Sequence, residues 1–382
     1  MLTEEQVDSL RKLFPVTHRL AYLNHASVAP TPTTVREAVG RWIDDVCHFG
    51  VLHESTWEER AETVRARCAR LMGAHPEEVA FVRNTSHGLS LVAEGLDWEP
   101  GDRVLVATAV EYPSNVYPWQ HLAARGVELV PIPTAGEGVR PAEVAAVMDH
   151  RTRLVAVSSA QYATGAVTDL AAIGALCREG GALLCVDGIQ TLGALPLDVK
   201  EAGIHFLSAD SHKWLLGISG IGCLFVDRQV VDRLRPVLTG WKSMVGAWDF
   251  DRLRFELIPD ARKLEEGSPA YGMISGLGAV VELLLSLGID AIYQRIRSLV
   301  ERLAAQLEAI GCAIGPEPAW RHHILTFVPR VGDPAELQEL LRAGGIVVSQ
   351  RRGRIRVSPH CYNTEAELDR LVAAVDEFQR GR

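Results

Sequence analysis

The sequence predicts an α/β protein with a large domain built on a mostly parallel, seven-stranded sheet and a smaller α+β C-terminal domain. Between about residues 79 and 226, short apolar runs alternate with amphipathic runs, which is the pattern of βαβ units. The apolar runs are nearly continuous, as expected of strands that are covered on both faces. After about residue 260 the pattern changes to two long helical stretches followed by short strands and helices.

The elements of the predicted sheet are short runs rich in valine, leucine and isoleucine. The seven candidate strands lie at 78–82, 103–107, 127–132, 153–159, 182–187, 206–209 and 222–226. Candidate helices between the early strands lie at 86–95, 116–124, 141–148 and 168–178.

The C-terminal part has a different order of elements. Helices are predicted at 270–287 and 289–311, a strand at 324–328, a helix at 335–343, strands at 345–349 and 354–358, and a closing helix at 364–379. We expect a large domain at 18–258 and a small domain at 259–382, with residues 1–17 packed near the small domain.

Composition excludes several classes of protein. The chain has 382 residues, 47% hydrophobic and 23% charged, which is typical of a globular protein with a large core. A net charge of −9 argues against a nucleic-acid binder. The seven cysteines form no CxxC pair and indicate buried thiols in a reducing cytoplasm. The N-terminus has no apolar signal core, and the most apolar helical run is too short to span a membrane.

Polar residues at the ends of the predicted strands are the candidate ligand contacts, because ligands of open parallel sheets bind there. Thr85 and Ser86 open a helix, where hydroxyls and free N–H groups suit a phosphate, although a helix N-cap explains them as well. Asp187 ends a buried strand and is either a turn residue or the partner of a cation such as a protonated ring nitrogen.

Two basic positions complete the candidate site. Lys213 follows a buried strand beside Trp214, where burial would make its amine a nucleophile for Schiff-base chemistry, unless the side chain reaches solvent. Arg354 and Arg356 lie on one face of a strand, where they could bind a carboxylate or protect a solvated edge. Together the four segments match pyridoxal phosphate and an α-amino acid.

The same residues carry a resemblance to the class V aminotransferases. These are fold-type I pyridoxal-phosphate enzymes that include cysteine desulfurases, kynureninases and isopenicillin N epimerase-like proteins. The resemblance runs from about residue 22 to 371. The matching segments include YLNHASVAPTP at 22–32, NTSHGLSLVA at 84–93, EYPSNVYPW at 111–119, QYATGAVTDL at 161–170, VDGIQTLG at 186–193, SADSHKWLLG at 208–217 and IRVSPHCYNTEAELDRL at 355–371.

The resemblance implies a role for each residue at the cofactor ring. Lys213 is expected to form the Schiff base with pyridoxal 5'-phosphate and to move the substrate proton. Asp187 is expected to pair with the pyridine nitrogen, and Tyr112 to stack on the ring. Gln190 is expected to reach the phenolic oxygen, with Tyr162 nearby.

It also implies phosphate and substrate contacts, and a homodimer with shared active sites. The residues expected to hold the phosphate are Thr85, Ser86, Ser211 and His212. Ser268 matches a position that reaches the phosphate of the neighbouring subunit, and Trp241 is expected in the same shared site. Arg356 matches the arginine that binds the substrate carboxylate, and Asn24 and His25 fall in a loop that borders the substrate.

Two departures from the family pattern bear on the reaction. Desulfurases carry a catalytic cysteine on a mobile loop before the strand that holds Arg356, but residues 347–354 contain no cysteine. Cys361 follows that strand and is expected to be packed. Asp210 replaces a phosphate-binding serine, so we expect its carboxylate to face elsewhere. Persulfide chemistry on the enzyme is therefore disfavoured.

The reaction itself stays open at this point. Transamination and β-elimination by a C–S lyase are the leading hypotheses. The alternatives are racemisation with a second acid from residues 22–25, a desulfurase-like enzyme without the loop cysteine, and an inactive homologue that acts as a scaffold. A dehydrogenase is disfavoured because no GxGxxG follows an early strand, and no histidine or cysteine spacing predicts a metal.

Overall fold

The computed structural model describes residues 2–134 and 136–381. The helices are α1 (Glu4–Leu13), α2 (Thr33–Phe49), α3 (Glu54–Met72), α4 (Thr85–Gly95), α5 (Tyr117–His121), α6 (Pro141–Ala145), α7 (Leu170–Gly180), α8 (Tyr271–Leu287), α9 (Ile289–Ala309), α10 (Pro334–Ala343) and α11 (Glu365–Arg380). The strands are β1 (Ala21–Tyr22), β2 (Val79–Val82), β3 (Arg103–Val106), β4 (Glu128–Pro131), β5 (Thr152–Ser158), β6 (Leu183–Asp187), β7 (Phe206–Asp210), β8 (Gly222–Val226), β9 (Ala313–Gly315), β10 (Leu325–Val328), β11 (Ile346–Val347), β12 (Ser349–Arg351) and β13 (Arg354–Val357).

The central sheet has seven strands in the order β2-β8-β7-β6-β5-β3-β4. All neighbouring strands pair in parallel except β8, which is antiparallel to both β2 and β7. Every residue of β6, β7 and β8 is buried, which explains why these strands are continuous apolar runs in the sequence. The predicted α/β class and the mostly parallel seven-stranded sheet are confirmed.

Two long helices, α2 and α3, are absent from the prediction. Both pack against α8, and glycines of α8 let the helices approach closely. A Cβ atom at Gly272 would lie 2.6 Å from the Trp42 ring on α2, and one at Gly278 would lie 2.4 Å from Val64 on α3. The apolar faces of α2 and α3 are therefore matched to a partner more than 200 positions away, which local periodicity does not reveal.

The C-terminal strands form a four-stranded antiparallel sheet in the order β12-β13-β10-β9. A two-residue turn joins β12 to β13, with positive φ at Arg352 (49°) and Gly353 (75°), as tight hairpins require. Nearby, β1 pairs in parallel with the short strand β11. The β12–β13 hairpin holds Arg356, and its register pairs Arg356 with Ser349.

The N-terminal helix contacts the C-terminal segment. Phe14 stacks on Tyr362 with 4.1 Å between the ring centroids, and Arg11 donates to Glu367 at 3.1 Å. The division into domains at residue 258 stays a prediction. In the part of the chain that is described, no single helix is long and apolar enough to cross a membrane; α8 and α9 meet that test only as a pair bent by 80°.

Candidate active site

A cavity of about 370 Å³ lies where β6 and β7 end, as expected for an open parallel sheet. It brings together residues that are far apart in the sequence. Nine predicted site residues line it: Thr85, Ser86, Tyr112, Tyr162, Asp187, Gln190, His212, Lys213 and Arg356.

Lys213 and Asp187 face the same cavity without pairing with each other. Lys213 is 9% exposed, and burial lowers the pKa of its amine from 10.5 to about 8. Burial raises the pKa of the Asp187 carboxyl to about 7, although Asp187 Oδ1 accepts a hydrogen bond from the Ile189 N–H at 3.0 Å. Among the described residues neither group has an ion-pair partner within 4.0 Å. A buried amine and a buried carboxylate in one cavity leave room between them for a group with a carbonyl and a cationic nitrogen.

The helix α4 supplies hydroxyl groups at one end of the cavity. Asn84 is the N-cap, with Oδ1 accepting a hydrogen bond from the His87 N–H at 2.9 Å, so Thr85 and Ser86 are not needed as caps. Ser86 Oγ donates to Ser114 Oγ at 2.7 Å, and Thr85 Oγ1 accepts from the Asp210 N–H at 3.0 Å. Hydroxyls at a helix N-terminus suit a phosphate.

Close packing of α4 on the sheet fixes this end of the cavity. Gly88 faces Ser208 of β7, and a Cβ atom at position 88 would lie 2.2 Å from Ser208 Oγ. Ser208 Oγ donates to the carbonyl of Thr85 at 3.1 Å, which anchors the first turn of the helix to the strand. A side chain at position 88 would collide with Ser208, so only glycine allows α4 to pack this closely against β7.

Two expectations about the segment after β7 are corrected. Asp210 does not face away: it lines the cavity, its carboxylate accepts a hydrogen bond from the Ser211 N–H at 2.6 Å, and it lies 3.0 Å from His212 Nδ1. The Ser211 hydroxyl instead donates to the carbonyl of Ile218 at 2.6 Å and does not line the cavity. The turn that follows β7 causes both results, because it folds Ser211 back on the chain.

Arg356 also lines the cavity and is 1% exposed. Its Nη2 donates to Ser27 Oγ at 2.6 Å and to Asn24 Oδ1 at 3.3 Å, and its Nη1 donates to the carbonyl of Tyr162. Its Nε is buried without a hydrogen-bond partner. Burial lowers the pKa of the guanidinium to about 9, with Arg351 adding to the effect. A fixed guanidinium with a free N–H is suited to a carboxylate.

Asn24 and His25 lie behind the cavity and do not line it. Asn24 holds Arg356, as described above. His25 is fully buried, with its ring nitrogens 2.8 Å from the Ser358 carbonyl and 2.7 Å from Tyr362 Oη. Tyr22 donates its hydroxyl to the carbonyl of Val28. The second acid that racemisation requires is therefore not supplied by the side chains of Tyr22 or His25.

Aromatic rings and an amide border the amine. The rings of Tyr112 and Tyr162 meet edge to face at 5.1 Å, and Lys213 Nζ lies 5.6 Å from the centre of the Tyr112 ring. Gln190 Nε2 donates to the carbonyl of Ala26 at 3.1 Å, and its Oε1 accepts from Trp214 Nε1 at 2.9 Å. These bonds fix Gln190 against the residue that follows Lys213.

Trp241 and Ser268 are not brought to this cavity within one chain. Trp241 packs with Trp248 and Phe250, with ring centroids 4.9 Å and 5.9 Å away. Ser268 lies in a separate cleft beside Arg83 and His87. Neither Trp241 nor Ser268 lines the cavity of its own chain, whereas nine of the other predicted contacts do.

Eight residues that line the cavity are not among the predicted contacts: Ala26, Ser27, Val28, Asn84, Ser114, Ile189, Asp210 and Arg351. Ser27 and Ser114 fall inside the matched segments at 22–32 and 111–119, so those segments were the available signal. Arg351 belongs to the basic run before β13, and its position follows from the hairpin register. None of the seven cysteines, all of which the structure describes, lines the cavity. Burial raises the pKa of the Cys361 thiol to about 12.

The fold and the cavity together define a pyridoxal-phosphate enzyme: a buried amine, a buried carboxylate, a hydroxyl-rich helix N-terminus and an anchored arginine fit the carbonyl, the ring nitrogen, the phosphate and the substrate of that cofactor. The family model described as aminotransferase class-V matches residues 21–371, and the chain belongs to this family. It is a pyridoxal-phosphate-dependent enzyme of the class V aminotransferase family. In the described residues, no group of three or more histidine, cysteine, aspartate or glutamate side chains is placed to hold a metal.

Within this family, the chain is similar to cysteine desulfurases and to a C–S lyase. It is 31% identical over 404 residues to a cysteine desulfurase of Klebsiella pneumoniae and 29% identical over 399 residues to a probable cysteine desulfurase of Methanothermobacter thermautotrophicus, with 98% of each chain covered in both cases. It is also similar to the solved structure of a cystine C–S lyase in complex with its product, cysteine persulfide, with a TM-score of 0.88 and 25% identity over 95% of this chain and 99% of that chain.

Proposed function

We propose that this enzyme catalyses β-elimination from α-amino acids that carry sulfur at Cβ, as a C–S lyase does. The observation that carries the proposal is a cavity with a base and a carboxylate anchor but no thiol. Desulfurase chemistry requires a cysteine that accepts sulfur, and residues 347–354 instead form a tight hairpin around Arg352 and Gly353. The similarity to a cystine C–S lyase supports the same reaction class.

The residues present fit the cofactor. Thr85, Ser86 and His212 would hold its phosphate, Asp187 would pair with its ring nitrogen, and Lys213 would form the Schiff base. When bound, pyridoxal phosphate withdraws electrons from Cα of the substrate. Asp187 supports that role because a carboxylate beside the ring nitrogen favours its protonated form.

Arg356 and Lys213 carry out the substrate steps. The guanidinium of Arg356 binds the α-carboxylate, which fixes the direction of the Cα–H bond. Lys213 Nζ takes the proton from Cα, and its lowered pKa of about 8 suits a base near neutral pH. The Cβ–S bond then breaks, and its electron pair leaves with the sulfur. The three-carbon product hydrolyses after release to pyruvate and ammonia.

Product analysis separates elimination from transamination. Holoenzyme is incubated with L-cystine, without an acceptor keto acid, and pyruvate and ammonia are measured. Elimination predicts equal amounts of both over many turnovers. Transamination predicts that turnover stops after one equivalent and yields a keto acid that retains the side-chain sulfur; this result would overturn the proposal.

We also propose a cytoplasmic homodimer that completes the active site. A surface segment around Trp241 exposes Trp248, Phe250, Leu253 and Phe255, and Leu253 is 92% exposed. A contiguous apolar patch of this kind is typical of an interface. Leu253→Asp should convert the dimer to a monomer in analytical ultracentrifugation. A monomeric wild-type chain at micromolar concentration would contradict the proposal.

The unpaired cysteines support the cytoplasm as the location of the enzyme, because it is a reducing compartment.

A further inference from the structure

A second arginine shares the substrate end of the cavity. Of the arginines in the β12–β13 hairpin, Arg351 and Arg356 line the cavity, whereas Arg354 donates to Glu137 at 2.6 Å and the exposed Arg352 donates to the carbonyl of Ala109 at 2.7 Å. Arg351 and Arg356 are therefore the two hairpin cations that face the substrate.

Neither of these two guanidiniums has a carboxylate partner. In the described part of the chain, no acidic side chain lies within 4.0 Å of Arg351, which donates to the carbonyl of Gln350 at 2.8 Å and weakly to Ser27 Oγ at 3.5 Å. The pKa of Lys213 is lowered mainly by burial, and the positive charges of Arg356 and Arg351 lower it further, so both arginines act on the same cavity. Two unneutralised cations in one enclosed space favour an anionic ligand.

The two cations lie close together, because both contact Ser27, but they are held differently. Arg356 Nη2 lies 2.6 Å from Ser27 Oγ and Arg351 Nη2 lies 3.5 Å from the same oxygen, so the two nitrogens are no farther apart than the sum of these distances. Arg356 is fully buried and tied by three acceptors, which leaves its Nε for the α-carboxylate. Arg351 is only partly buried and less tied, so it is free to meet a group on the side chain.

We propose that Arg351 is a second anion subsite, which selects amino-acid substrates whose side chain ends in a carboxylate. This inference rests on the proposed function and names the substrate class of the same site. The α-carboxylate binds to Arg356 and the distal carboxylate binds to Arg351. A charge-assisted hydrogen bond of this kind contributes roughly 1.5–3 kcal/mol, which corresponds to about a 10- to 100-fold preference over a neutral side chain.

The test compares two substrates of the same shape, S-carboxymethyl-L-cysteine and S-carbamoylmethyl-L-cysteine, which differ only in the charge of the side-chain terminus. Dissociation constants are measured from the change in cofactor absorbance of the holoenzyme, and pyruvate release is followed in parallel. Wild type should bind the acid at least tenfold more tightly than the amide. Arg351→Gln should bring this ratio close to one, and Arg351→Lys, which keeps the charge, should retain most of it.

Arg352→Gln is the matched control, because it removes the same charge at the next residue, from a side chain outside the cavity; its ratio should change by less than twofold. Equal weakening of both compounds by Arg351→Gln would mean that both arginines bind the α-carboxylate, and unchanged dissociation constants for both compounds would mean that Arg351 contacts neither carboxylate. Either result overturns the subsite. Failure of the proposed function is a different result: binding with the predicted preference but no pyruvate.

Discussion

The substitution Arg356→Lys should weaken amino-acid binding without weakening cofactor binding. Lysine keeps the positive charge but replaces a planar fork of donors with a single ammonium group. In the structure the guanidinium donates to Ser27, Asn24 and Tyr162 and still has Nε available for the substrate. An ammonium group cannot keep these contacts and also donate a hydrogen bond to the carboxylate.

The size of the effect follows from the contact that is lost. One charge-assisted hydrogen bond contributes roughly 1.5–3 kcal/mol, and about 1.4 kcal/mol corresponds to a tenfold change in affinity. The KM for the amino acid should therefore rise about 10- to 100-fold. The affinity for pyridoxal phosphate should stay within about threefold, because none of the groups that Arg356 contacts belongs to the residues expected to hold the phosphate.

The assay is pyruvate release at varied L-cystine, together with fluorescence titration of the apoprotein with pyridoxal phosphate. Arg354→Lys is the matched control, because Arg354 lies on the same strand, pairs with Glu137 and does not line the cavity. The control should leave KM within about twofold. Equal losses of affinity for substrate and cofactor in Arg356→Lys, or an unchanged KM, would refute the assignment of Arg356 to the substrate carboxylate.

Four further outcomes are expected. Burial raises the pKa of Asp187 from 3.8 to about 7, so this carboxyl binds more protons in the folded apoprotein than in the unfolded chain, and its contribution to stability falls as pH rises from about 4 to 7. Asp187→Asn should remove this contribution and change the pH dependence of thermal denaturation of the apoprotein in that range, and an unchanged pH dependence would contradict it. Gly88→Ala should weaken cofactor binding at least tenfold by pushing α4 away from Ser208, as measured by equilibrium titration; unchanged affinity would show that the helix position does not matter. Cys361→Ser should leave the rate of pyruvate release within about twofold, whereas loss of activity would restore a role for this thiol. Phe14→Ala should lower the free energy of unfolding by about 3–5 kcal/mol in urea titration, and a loss below 1 kcal/mol would mean that the contact of α1 is marginal.

The central sheet could be predicted because its strands are marked by composition alone. Buried parallel strands such as β6 consist of apolar residues without interruption, and their ends carry the polar residues that form the site. The position of Asp187 at the end of β6 and of Lys213 after β7 then follows from the rule for open sheets. These residues were predicted together because chain topology, rather than fine geometry, brings them together.

The remaining features depend on contacts that the sequence does not display. The Ser211 hydroxyl turns to Ile218 because of a local turn, and Arg351 reaches the cavity because the hairpin pairs it with Arg354. A one-residue change in that register would have turned Arg351 away. Trp241 and Ser268 lie outside the cavity of a single chain, so their predicted roles depend on the proposed dimer.

The mass of the intact polypeptide during turnover distinguishes release of sulfur with the product from transfer of sulfur to an enzyme cysteine. Holoenzyme is sampled by mass spectrometry while it consumes L-cystine and pyruvate accumulates in solution. A polypeptide of unmodified mass is expected throughout. A sulfur adduct that forms and decays at the rate of turnover would contradict it.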